Sequence, residues 1–157
     1  MNICEMIQRQ YHAALGMLGN SIKDCPAELW NKGSTNKYWH IAYHTLFYTH
    51  LYLSESDERF EPWEKGREGY NDLSLRQAEP LNAYSQAELL EYLELCHKEV
   101  DTRVPGLDFE APSGFDWLPF GKLELQIYNI RHIQHHTGQL IDRLREAADI
   151  SSNWIGK

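Results

Sequence analysis

From about Lys122 to Ala148 the residues Leu123, Ile127, Ile130, Ile133, Ile141 and Leu144 form one apolar stripe at helical spacing, which commits a long stretch of the chain to a single α-helix. Three more segments read the same way. The first predicted helix runs from about Ile3 to Leu18 and meets Gly19-Asn20, a C-terminal stop signal. The second runs from about Asn36 or Lys37 to Leu53 or Ser54. Its apolar and aromatic residues lie all round the helix, so most of it should be buried. The third opens at Ser85-Gln86-Ala87-Glu88, where Ser and Glu form a capping box, and continues through Leu89, Leu90, Leu93 and Cys96 towards Thr102. Between the first and second, Pro26-Ala27-Glu28-Leu29-Trp30 predicts one short helical turn, because proline is tolerated at a first helical position.

The expected fold is therefore all-α, a four-helix bundle occupying residues 1–157 as a single domain. Two connections qualify that picture. The run from about Glu55 to Tyr84, with Pro62, Gly66, Gly69 and Pro80, is too long for a tight helical hairpin and suits a crossover between parallel neighbours. The run from about Val104 to Gly121 holds Pro105, Gly106, Pro112, Gly114 and Pro119. Its aromatics Phe109, Phe115, Trp117 and Phe120 should pack it down over a bundle end as the wall or lid of a site.

Composition narrows the partners. A chain of 157 residues with 42% apolar residues can bury a real core. A net charge of −8, with no cluster of Lys and Arg, argues against binding a nucleic-acid backbone. The start, Met1-Asn2-Ile3-Cys4-Glu5, lacks a basic region followed by an apolar run, and no stretch approaches the roughly 18 consecutive apolar residues of a spanning helix. A soluble, cytoplasmic protein without a membrane partner is expected. Cys4, Cys25 and Cys96 are odd in number and widely separated, so neither a disulfide framework nor a thiolate zinc site is indicated.

The histidines carry the chemistry. In Arg131-His132-Ile133-Gln134-His135-His136-Thr137-Gly138-Gln139, His132 and His136 are spaced i, i+4, so a helix stacks both rings on one face within reach of one ion. At about 100° per residue they fall within roughly 40° of each other, beside Leu125, Tyr128 and Gln139 and away from the apolar stripe. That places the pair at the edge of the core, with His135 pointing elsewhere. A second i, i+4 pair, His40 and His44, lies on the second predicted helix, and spacing alone leaves open which of them joins. Three neutral imidazoles with the remaining positions left open make a catalytic rather than a closed structural metal site. His12, His50 and His97 have no partner at ligand spacing and are expected in solvated or interface roles. Trp39, Tyr43, Phe47, Tyr48 and Tyr52 read as packing, with Tyr48 on the His44 side.

The combination of Trp39-His40-Ile41-Ala42-Tyr43-His44-Thr45-Leu46 with His132-x-x-x-His136-x-Gly138-Gln139-Leu140 resembles the DinB-like superfamily of small metalloproteins, over nearly the whole chain to about Arg145. The resemblance implies an up-down-down-up bundle in which the second and third long helices run parallel. It implies a metal triad of His44, His132 and His136, favouring His44 over His40, and a divalent ion such as zinc or nickel. It also implies a homodimer and a small-molecule substrate, possible partners including a low-molecular-weight thiol.

Three functional classes follow. The first is a metal-dependent enzyme, a thiol transferase or hydrolase, in which a coordinated water or thiol loses its proton near neutral pH. No carboxylate stands at ligand spacing, so no catalytic base is named; Gln139 and Tyr128 are candidates to support the ligands or touch substrate. The second is a metal-binding sensor or stress protein without turnover, and the third a metal-free helical interaction module.

Overall fold

The computed structural model describes residues 2–32, 36–74 and 82–156. Among these, five α-helices and one 3-10 turn account for the regular structure: α1 (Ile3–Asp24), α2 (Ala27–Trp30), α3 (Tyr38–Leu53), α4 (Gln86–Arg103), the turn Val104–Gly106, and α5 (Lys122–Ala148). The chain is all-α. Pro80, part of the expected crossover, lies outside the described residues.

Local chemistry sets the helix ends. Asn2 caps α1 by accepting from the Glu5 amide at 3.3 Å. The expected capping box of α4 is complete, with Ser85 Oγ accepting from the Glu88 amide and Glu88 Oε2 accepting from the Ser85 amide at 2.7 Å. α5 stops at Asp149, which takes a left-handed conformation with φ of 55° and returns its amide to Arg145 O. The stop expected at Gly19-Asn20 does not occur: α1 continues to Asp24 and ends where Pro26 holds Cys25 extended. Gly19 serves packing instead, since a Cβ there would stand 2.6 Å from Leu93 Cδ2 on α4.

α1 and α3 each pack chiefly against α4 and α5. The main core gathers Tyr11, Leu15 and Leu18 of α1, Trp39, Tyr43 and Leu46 of α3, Tyr92 and Cys96 of α4, and Ile133, Leu140 and Leu144 of α5. α3 is buried nearly all round, as its composition requires. The connection after α3 is tied down by Trp63, which stacks on Tyr92 with ring centroids 4.4 Å apart. α5 departs from the expected stripe. Ile127 is 56% exposed, and the buried face runs through Leu125, Asn129, Ile133, His136, Leu140 and Leu144, mixing polar and apolar groups. Asn129 Nδ2 donates to Thr49 O and Gln126 Oε1 accepts from Tyr11 OH, so these two polar residues occupy core positions by bonding to α3 and α1, although Asn129 Oδ1 is buried without a partner.

The segment before α5 folds over one end of the helices, as its aromatics imply. Phe115 and Leu118 join Leu51, Tyr52 and Leu125 in a second apolar cluster. Gly114 has φ of +89°, and a side chain there would meet Glu55 O at once. Lys122, the first residue of α5, is buried and donates its ammonium to the carbonyls of Glu55 and Ser113, fastening the helix start to two loops. Among the described residues no helix is long and apolar enough to cross a membrane.

Candidate metal centre

α3 shows one gap in its burial. His44, Phe47 and Tyr48, at i, i+3 and i+4, are half-buried while their neighbours on the helix are covered. Packing of α3 on α5 sets this strip against His132 and His136, so the pair spaced for one ion acquires a third ring from a distant part of the chain. Ring centroids are 5.1 Å apart for His44 and His132, 4.7 Å for His44 and His136, and 4.6 Å for His132 and His136. One ligand nitrogen from each residue lies within 4.8 Å of the others.

The geometry fits a shared ion. His44 Nε2 and His132 Nε2 are 3.2 Å apart. Two imidazole nitrogens at about 2.0–2.1 Å from one tetrahedral Zn²⁺ stand about 3.3 Å from each other, so these rings are at ligand spacing. Outer contacts orient two of the three. His44 Nδ1 donates to Asn71 O at 2.6 Å and His136 Nδ1 donates to Gln139 Oε1 at 2.9 Å, which leaves Nε2 of each ring with its lone pair towards the centre. Gln139 is itself steadied by donating from Nε2 to His135 Nε2 at 3.3 Å. Of His132, Nδ1 is buried with no hydrogen-bond partner.

Electrostatics keep the rings neutral. Burial holds the imidazole of His44 down to about 4, against a partial rise from its bond to Asn71. His132 falls to about 3, through burial first and then the neighbouring His136, His44 and His135. His136 is lowered too, chiefly by burial, with Gln139 acting in the opposite sense. Neutral imidazole is the form that ligates a cation, so no proton need be displaced at neutral pH.

All three expected ligands thus converge. His40 does not join them: it is buried and donates Nε2 to Tyr70 O at 2.7 Å. His135 is exposed, as its place on the wheel requires. The expectation that the pair sits at the edge of the core holds for His132, whereas His136 lies in the buried face. Of the remaining histidines, His12 and His97 do have a partner, each other, with Nδ1 atoms 2.8 Å apart, and His12 Nε2 donates to Asp101 Oδ1. His50 is buried against Phe60 and Tyr92 rather than solvated.

A cavity of about 590 Å³ opens beside the triad, and His44 and His132 form part of its wall. Tyr48 borders it next to His44, with ring centroids 4.8 Å apart, and Tyr128 lines it from α5. Trp117 completes the wall from the segment before α5, as that segment's aromatics suggest. Sequence spacing gives no sign of Asn71, because its contribution to His44 is a backbone carbonyl that any residue supplies. Phe60 and Asp57 line the cavity from the connection after α3 and carry no motif.

Comparison with protein-family models, curated proteins and solved structures finds no match to this chain.

Proposed function

We propose that the chain is a divalent-metal-binding protein of the DinB-like kind, holding zinc or nickel on His44, His132 and His136. The observation that carries this reading is the convergence of three neutral imidazoles from α3 and α5, with ligand atoms within 4.8 Å of one another. The packing of α1 and α3 on both α4 and α5 supports a four-helix bundle of α1, α3, α4 and α5. The long connection from α3 to α4 is consistent with an up-down-down-up order and a crossover.

The proposed activity is metal-dependent transfer to or from a thiol. An ion with three neutral protein ligands retains its positive charge and lowers the pKa of a water or thiol that occupies an open position. The chain's own residues do the rest. Asn71 O and Gln139 Oε1 fix the tautomers of His44 and His136, and the aromatic wall of the cavity offers a surface against which a small molecule can be oriented. The same resemblance extends to a homodimer acting in the cytoplasm on a small molecule. A second reading, metal binding without turnover, is favoured by one observation: among the described residues the candidate ligand group contains no carboxylate to act as a base.

Elemental analysis of tag-free protein tests the site. Wild type should carry near-stoichiometric metal and His136→Ala much less; equal trace metal in both would remove the reading. Turnover of a panel of thiols and electrophiles that disappears with chelator then separates the enzyme from the non-catalytic binder.

A further inference from the structure

The cavity beside the triad is built from four stretches of chain that share one property. α3 contributes Phe47, Tyr48 and Tyr52, the following connection Phe60, the segment before α5 Trp117, and α5 Tyr128. These rings form a continuous surface that begins at the metal ligands. Tyr48 touches His132 with ring centroids 5.7 Å apart, Tyr52 follows at 5.6 Å from Tyr48, and Tyr128 at 5.8 Å from Tyr52. Trp117 is 52% exposed, and its indole packs on Phe115 with ring centroids 5.4 Å apart. An exposed indole packed in this way offers its uncovered surface to whatever enters.

Beyond the imidazoles, the tyrosine hydroxyls and the indole N–H, the polar side chains of the lining are Asn71 and Asp57. Near the triad, Asn71 Nδ2 donates to Tyr48 OH at 3.4 Å, and at the outer part Asp57 is exposed. Asp57 is the one charged residue among the described residues that line the cavity. Beyond an ion on the triad, the described lining residues include no Lys or Arg, so the further charges of a ligand rich in carboxylates or phosphates would meet only the like charge of Asp57 and be desolvated without compensation. An uncharged aromatic body, by contrast, is matched by the rings that line the wall, and a cavity of about 590 Å³ has the capacity of an ordinary small-molecule site.

We propose that this cavity binds a small ligand with an uncharged aromatic body, its single metal-binding donor directed at His44 and His132. The donor end of the assignment rests on the metal reading above; the aromatic end rests on the cavity alone. The aromatic body, rather than a charged headgroup, sets specificity.

The two parts are tested separately. In chelator-treated protein, benzyl alcohol is titrated while the indole N–H resonance of Trp117, assigned by its loss in Trp117→Phe, is followed by NMR. A saturable shift is expected; no shift would overturn the proposal whatever the metal content. In cobalt-loaded protein, phenylmethanethiol, ethanethiol and 3-mercaptopropionate are compared through the thiolate-to-cobalt absorption band. Phenylmethanethiol should bind about tenfold tighter than ethanethiol, the scale expected for covering one phenyl ring. 3-Mercaptopropionate should be weakest. Trp117→Ala should narrow the aryl preference at unchanged cobalt content, while Trp154→Ala, a change at a residue 77% exposed, should leave it intact. Equal affinity for the three thiols, or a preference for the carboxylate, would refute the aromatic assignment and leave the metal site standing. Failure to load cobalt with a normal benzyl alcohol titration would remove the metal reading and retain the cavity.

Discussion

Replacing His132 by leucine should make the metal-free protein less sensitive to acid. The native ring is held at about 3 while an unfolded histidine titrates near 6.5. At pH 5 the unfolded chain therefore binds a proton at this position and the native chain does not, so stability falls as pH drops below about 6.5. Since about 3 lies well below 5, the size of the loss depends only on the unfolded value. RT ln(1 + 10^1.5) gives about 2 kcal/mol at pH 5, against less than about 0.1 kcal/mol at pH 7.5. His44 and His50, each held at about 4, add losses of the same sign that remain in the variant. Urea unfolding of chelator-treated wild type and His132→Leu at about pH 7.5 and pH 5 isolates the difference, provided the slope with denaturant is unchanged. The variant should lose about 2 kcal/mol less than wild type. Equal losses would mean that the native ring takes up the proton, and the argument that burial keeps it neutral would fail.

Removing the Gln139 amide should act on the ion and not on the fold. Gln139→Ala takes away the acceptor of His136 Nδ1 from an exposed position, so metal affinity should fall about 10- to 100-fold while the metal-free melting temperature stays put; Gln139→Glu, which restores an acceptor, should recover it in a competition titration. Gly19→Ala should destabilise the protein in the same urea assay, because overpacking against buried Leu93 costs about 1–3 kcal/mol and outweighs the ~1 kcal/mol helix gain of alanine. A more stable Gly19→Ala protein would show that Leu93 moves aside at little cost.

What was legible in the sequence follows the range of the signal. The i, i+4 spacing of His132 and His136 and the Ser85–Glu88 box are local, and local pattern was enough for both. The third ligand was not decidable by spacing, because His40 and His44 share a face of α3; the difference lies in which faces α5 and which meets the carbonyl of Tyr70. Gly19 misled for the same reason. Glycine after an apolar run is a stop signal by local statistics, but here its missing side chain makes room for Leu93, far away in the sequence. The apolar stripe of α5 differs from its buried face because apolar spacing does not register Asn129 and Gln126, which enter the core with hydrogen bonds supplied by α3 and α1. The cavity walls come from separate stretches of chain, and no window along the sequence contains them.

The buried ammonium of Lys122 bears on how this chain can change in length. Its bonds to Glu55 O and Ser113 O close a short circuit through residues 113 to 122, reinforced by the backbone bonds Ser113 N to Phe120 O and Lys122 N to Ala111 O. One added or deleted residue inside that circuit would shift the origin of α5, and with it the height of His132 and His136 against His44. Natural or engineered length variation should therefore collect outside it, beside the exposed residues Gly106 and Asp108, where no histidine hangs on the register.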